Sequence, residues 1–99
     1  MKLTKQKCEQ WIAALRSGEY RQTRGTLKRG NQHGSFYCCL GVAEEVLGAL
    51  RADQGVLSTS FLPVSVQRTL IRMNDGSQKG FDYIAGWIET ELLPECPDE

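Results

Sequence analysis

The sequence predicts a mainly α fold: a compact bundle of about four helices, with a small β-hairpin between helices 1 and 2 as an added option. Three observations predict it. Apolar residues recur at helical spacing in four separate segments. Gly18, Pro63 and Pro94 stand at boundaries of those segments, where helices start and stop. The 99 residues, 40% apolar and 24% charged, suit one domain with one modest core, here residues 1–99.

The first helix is expected over Thr4 to Ser17. Cys8, Trp11, Ile12 and Leu15 fall at i, i+3, i+4 and i+7. Thr4 is the candidate N-cap, Leu3 packs across the start, and Gly18 is the stop signal after Arg16 and Ser17. Glu19 to Leu27 reads as a weak strand or an extended wrap. Lys28 to Ser35 is polar and glycine-rich, hence a loop. Phe36 and Tyr37 make a short strand that can pair with Gly25, Thr26 and Leu27 to form the hairpin.

The second helix is expected from Cys38 to Leu50. Cys39, Val42, Ala43, Val46, Leu47 and Leu50 form a wide apolar stripe, and Leu40 and Ala49 widen it further. Such a helix is central and touched on more than one side. Arg51 to Ser60 reads as a linker. Pro63, placed at the first helical position, opens a third helix that runs to about Met73 with Val66, Leu70 and Met73 on its buried face. Asn74 to Ser77 reads as a helix exit and turn. The fourth helix runs from about Gln78 to Leu93, with Phe81, Ile84, Ala85, Ile88 and Leu92 facing the core. Tyr83 and Trp87 lie four apart on another side. The tail, 94–99, is expected to fray.

Several chemistries find no support. The longest relevant apolar stretch, Phe36 to Leu50, is broken by Glu44 and Glu45, which rules it out as a transmembrane helix. The basic start, Lys2, Lys5 and Lys7, is not followed by an apolar segment of the secretory kind, so a cytoplasmic location is expected. Cys8, Cys38, Cys39 and Cys96 are then read as free thiols. No metal site is expected, because His33 is the single histidine and adjacent cysteines chelate poorly. No phosphate loop, calcium loop or carboxylate pair is legible, and no cofactor is implied. One thiol chemistry deserves a place as a minor alternative. Cys38 at a helix start, with His33 as base, has the composition of a thiol-dependent enzyme site.

The 12 basic and 12 acidic residues cancel, but their placement is uneven. Residues 1–30 hold eight basic residues against two acidic ones, and residues 80–99 hold six acidic residues and no Lys or Arg. Two binding readings follow. Tyr83, Trp87 and Glu91 form a candidate protein-binding face, since exposed Trp and Tyr are enriched at binding hot spots. Its partner would be a host protein or a second copy of the chain. Tyr20, Arg21, Arg24, Lys28 and Arg29 form the alternative, a basic segment with an aromatic residue suited to nucleic acid. Opposite charge at the two ends also favours pairing of the first and last helices.

One pattern carries a resemblance. Trp11-x-x-Ala14-Leu15-x-Ser17-Gly18-x-Tyr20, then Tyr37-Cys38-Cys39-Leu40-Gly41-Val42, then Leu70-x-x-Met73-Asn74-Asp75 and Phe81-x-x-Ile84-Ala85 span most of the chain. This resembles a group of small uncharacterised proteins of tailed bacteriophages and prophages. The resemblance implies a bacterial host cytoplasm and a small accessory protein of the kind that binds and modulates a host protein; the Tyr83/Trp87 face, the segregated charge and the lack of a catalytic cluster add the expectation that it is non-enzymatic. The resemblance assigns no catalytic residue.

Overall fold

The computed structural model describes residues 3–23, 28–31, 34–49, 51–53, 56–76 and 79–98. Its first helix, α1 (Lys5–Arg16), begins as the sequence dictates. The Lys7 N–H donates to the Thr4 hydroxyl oxygen at 3.2 Å. Leu3 and Cys8, the positions of a hydrophobic staple, are both fully buried. At the other end, Gly18 adopts φ 80°, which a residue with a Cβ reaches only with strain. The buried face is Cys8, Trp11, Ile12 and Leu15. Complete burial of Trp11 is worth on the order of 4–6 kcal/mol in transfer free energy, an upper figure. Its indole N–H donates to the Cys39 carbonyl at 2.9 Å, so the largest core side chain also fixes the register of α1 on the next helix.

A three-stranded sheet lies between the first two helices. Its strands are β1 (Arg21–Gln22), β2 (Lys28–Asn31) and β3 (Gly34–Tyr37), in the order β1-β3-β2. β1 runs parallel to β3, and β2 forms the antiparallel hairpin with it. The hairpin is therefore present, but its first arm differs from expectation. Lys28 to Asn31, read as loop, pairs with Tyr37 to Gly34, whereas Gly25, Thr26 and Leu27 lie outside the described residues. Pairing partners override propensity here, because Lys28 covers a buried aromatic side chain while its charge stays at the surface.

Helix α2 (Cys39–Leu47) follows. Cys39, Leu40, Gly41, Val42 and Ala43 are all buried, so its first turns are enclosed on every side, as the wide stripe predicts. It stops earlier than Leu50, because Gly48 takes the left-handed conformation (φ 69°) and closes the helix. Leu50 lies outside the described residues.

The expected linker contains a two-stranded ladder, β4 (Arg51–Asp53) and β5 (Val56–Leu57). Its anchor is Gln67 on α3 (Val64–Ile71). The fully buried Gln67 amide accepts from Leu57 N–H at 2.7 Å and donates to Leu57 C=O at 3.0 Å and Leu62 C=O at 2.9 Å. The carboxamide satisfies both backbone groups of Leu57, as a neighbouring strand would. Pro63 acts as the N-cap of α3 rather than its first residue.

α3 continues through a π-helical turn, Arg72–Gly76, in place of the expected exit at Asn74. Its buried positions are Gln67, Leu70 and Asn74, at i, i+3 and i+7. Val66, Ile71 and Met73 are only partly buried. The core stripe is thus rotated from the apolar reading, because two of its members are carboxamides. α4 (Phe81–Trp87) passes into a π-helical turn, Ile88–Leu92, and a 3₁₀ turn, Leu93–Glu95. Gln78 lies outside the described residues. Phe81, Ile84, Ala85, Ile88 and Leu92 are buried as expected.

The tail expected to fray is docked instead. Lys5 N–H donates to the Pro97 carbonyl at 2.8 Å, Cys96 is buried, and Lys5 Nζ lies 3.7 Å from Asp98. The first turn of a helix has orphan N–H groups, and the tail carbonyl satisfies one of them. Among the described residues no helix is long and apolar enough to cross a membrane.

The two buried carboxamides give a direct test. Gln67→Ala and Asn74→Ala are each expected to cost about 2–4 kcal/mol, since the first strips partners from the Leu57 N–H and the Leu57 and Leu62 carbonyls and the second from the Thr23 carbonyl and the Gln22 amide. Urea denaturation measures this, and a loss below about 0.5 kcal/mol would contradict the assigned role.

Candidate functional site

The start of α4 is set by a polar network rather than by a side-chain cap. Gly80 is its N-cap, with no side-chain cap bond. Asn74, fully buried, donates to Thr23 C=O at 2.8 Å and accepts from the Gln22 amide at 2.8 Å. The same Gln22 nitrogen donates to Lys79 C=O at 2.7 Å, and Lys79 N–H donates to Met73 C=O at 2.8 Å. Strand β1, the end of α3 and the entry to α4 are joined at one point. From there the apolar stripe of α4 packs on α1, and Arg16 holds Glu89 with two hydrogen bonds of 3.2 and 3.3 Å.

With that face committed, the helix leaves Tyr83, Trp87 and Glu91 on a neighbouring side, one turn apart each. The structure brings all three together around a shallow depression completed by Asp82, Gly86 and Thr90. Tyr83 is 55% exposed, and Val64 is the other large apolar side chain exposed among the described residues. Trp87 is half-buried with its body against the core. Gly86 opens the floor of the depression, where an added Cβ would meet nothing within 4 Å. Lys79 Nζ sits 4.7 Å from the Tyr83 ring centroid. Asp82, Gly86 and Lys79 were not singled out from the sequence. Gly86 stands three residues after Tyr83 and four after Asp82 on the same helix, a spacing that could have grouped these three, whereas Lys79 precedes the helix and meets Tyr83 only in the fold.

The alternative basic segment is divided. Tyr20 packs edge-on against Tyr37, with ring centroids 5.3 Å apart, and so belongs to the packing beneath the sheet. Arg21 lies over Phe36 at 5.8 Å, whereas Lys28 lies over Tyr37 at 5.5 Å and reaches Glu45 at 3.9 Å. Phe36 and Tyr37 are consecutive in a strand and face opposite sides. Arg21 and Lys28 are therefore on different faces of the sheet. The register sets Arg29 opposite Phe36. Arg24 lies outside the described residues.

Cys38 caps α2, but burial pushes its thiol up by more than the N–H groups of Gly41 and Leu40 pull it down. His33, its imagined base, lies outside the described residues. Cys39 is driven well up by full burial, and Cys8 is pushed up to about 12, mainly by burial and then by the neighbouring Cys96. All four cysteines are free and buried. Such thiols are core side chains and poor nucleophiles at neutral pH.

Residues 3–54 match the family described as Domain of unknown function (DUF8296), a span that covers α1, the sheet, α2 and β4. The chain belongs to this family. No curated protein and no solved structure matches it. In this DUF8296 chain the matched half carries the Trp11 and Tyr37–Val42 core, and the α4 depression lies beyond it.

The open glycine and the buried thiol can each be tested. Gly86→Ala is expected to raise stability by about 0.5–1 kcal/mol, because it removes a helical glycine and the new methyl group meets no neighbour. Destabilisation on urea denaturation would mean that the floor is not open. The Cys8 thiol, raised from 9.0 to about 12, supports a pH test. Its contribution to stability is complete below pH 9 and is lost as pH rises toward 12, because the unfolded chain ionises first. Cys8→Ala should therefore flatten the fall of unfolding free energy between pH 9 and 11. An unchanged slope would contradict the burial of the thiol.

Proposed function

We propose that this DUF8296 chain is a non-enzymatic protein-binding module that docks through Tyr83, Trp87 and Glu91 on α4. The observation that carries this reading is the exposed Tyr83 beside a half-buried Trp87 over a depression floored by glycine. A ring anchored on one side by the core loses little side-chain entropy on binding, which suits a hot spot. The resemblance of the Tyr37–Val42 segment to tailed-phage proteins supports the biological part. The module is a small phage-type accessory protein that modulates a host protein in the bacterial cytoplasm.

The raised Cys38 thiol argues against the thiol-enzyme alternative. Nucleic-acid binding through the sheet keeps one supporting observation: Arg21 over the partly exposed Phe36, a ring on which a base can stack. The division of Arg21 and Lys28 between two faces weakens it.

A tagged chain should retain one stoichiometric protein from nuclease-treated bacterial lysate. Trp87→Ala should weaken that capture by about 2 kcal/mol or more, roughly 30-fold, with an unchanged far-UV circular dichroism spectrum. Capture that is indifferent to Trp87, or bound material that disappears with nuclease, would overturn the reading.

A further inference from the structure

The charges around the α4 depression say what chemistry it fits. The last twenty residues hold six carboxylates and no Lys or Arg. Internal pairing uses Glu89, on Arg16, and Asp98, near Lys5. Among the described residues Asp82 and Glu91 form no ion pair, although Asp82 lies within the field of Arg16, and both are exposed on the rim of the depression. Tyr83 and Trp87 line the same depression. Aromatic rings attract cations through their quadrupole, and nearby carboxylates strengthen that attraction. The chain already uses one of these rings in this way, since Lys79 Nζ lies over Tyr83 at 4.7 Å.

We propose that the depression receives an arginine or lysine side chain from a basic segment of a partner protein. The cation lies against Tyr83 and Trp87, and Asp82 and Glu91 neutralise it. This rests on the protein-binding reading and specifies its partner chemistry. The half-buried Trp87 and the flat Tyr83 ring suit the apolar stem or plane of the side chain, while the two carboxylates suit its charged end. Lys79 acts as an internal competitor for the Tyr83 ring. Its removal therefore favours the incoming cation, an effect that a purely apolar docking surface would not show.

The test uses the full chain and a hexa-arginine peptide at low salt, with fluorescence titration and a hexaglutamate peptide as control. Trp11 is fully buried, so a change in emission reports on Trp87. Hexa-arginine should bind and hexaglutamate should not. Trp87→Ala, followed by calorimetry, keeps every charge and should weaken binding about tenfold or more. Asp82→Asn with Glu91→Gln keeps both rings and should weaken it to a similar degree. Lys79→Met should tighten it several-fold. Equal hexa-arginine binding by the wild type and Trp87→Ala would overturn the proposal, since charge alone would explain it. So would a failure of the wild type to bind. If that failure occurs while Trp87→Ala still abolishes capture of the lysate protein, the docking face stands and the cation chemistry falls. A concentration-dependent dimer in sedimentation that Trp87→Ala dissociates would also overturn it, by assigning the face to a second copy of this chain.

Discussion

The position of α4 depends on one buried carboxamide. Asn74 stands where β1, the π-helical end of α3 and the entry to α4 meet, and its amide bonds Gln22 of β1 and Thr23 beside it. A buried amide without partners is costly, so all its bonds form together or none of them is secure. Through Gln22 the same network reaches the Lys79 carbonyl, one residue before the N-cap of a helix that has no capping side chain of its own. Apolar packing then decides which stripe of α4 turns inward, and what remains outside is the Tyr83–Trp87 face.

The half of the chain that matches the family and the half that carries the proposed surface are built differently. In the first, Trp11 ties α1 to the Cys39 carbonyl, and an α2 segment free of charged residues is enclosed on all sides. The second is held by polar pins: Gln67 on the β5 backbone, Asn74 on Thr23, and Lys5 on the tail carbonyl. Ion pairs between α1 and the acidic end, Arg16 with Glu89 and Lys5 with Asp98, are exposed and add orientation rather than much stability. On this scaffold the Tyr83–Trp87 face is packed where it meets the core and open where it meets solvent.

The legible part of this architecture is the part governed by apolar periodicity. The stripes Cys8–Trp11–Ile12–Leu15 and Phe81–Ile84–Ala85–Ile88–Leu92 could be read directly, and so could the pair of aromatics left outside the second. α3 is present with Leu70 buried as the periodicity predicts, but the rest of its buried face departs from it because Gln67 and Asn74 are polar. Read by position alone, 67, 70 and 74 make a buried stripe, but no local rule says that a carboxamide there finds backbone to bind. The hairpin arm Lys28–Asn31 is polar throughout and has no strand periodicity. Only the partner strand reveals it. The docked tail likewise depends on the orphan N–H of Lys5, which becomes a partner once the ends of the chain meet. At the site, the sequence yielded Tyr83, Trp87 and Glu91. It did not yield the glycine floor or Lys79, because depth and ring stacking are properties of the folded face.

We propose that the α4 face, and not the sheet, meets the partner. Hydroxyl-radical footprinting of the chain with and without its captured protein tests this most directly. Oxidation of Tyr83 and Trp87 should fall strongly in the complex while that of Phe36 is unchanged. Protection of Phe36 with Tyr83 and Trp87 still fully oxidised would contradict it.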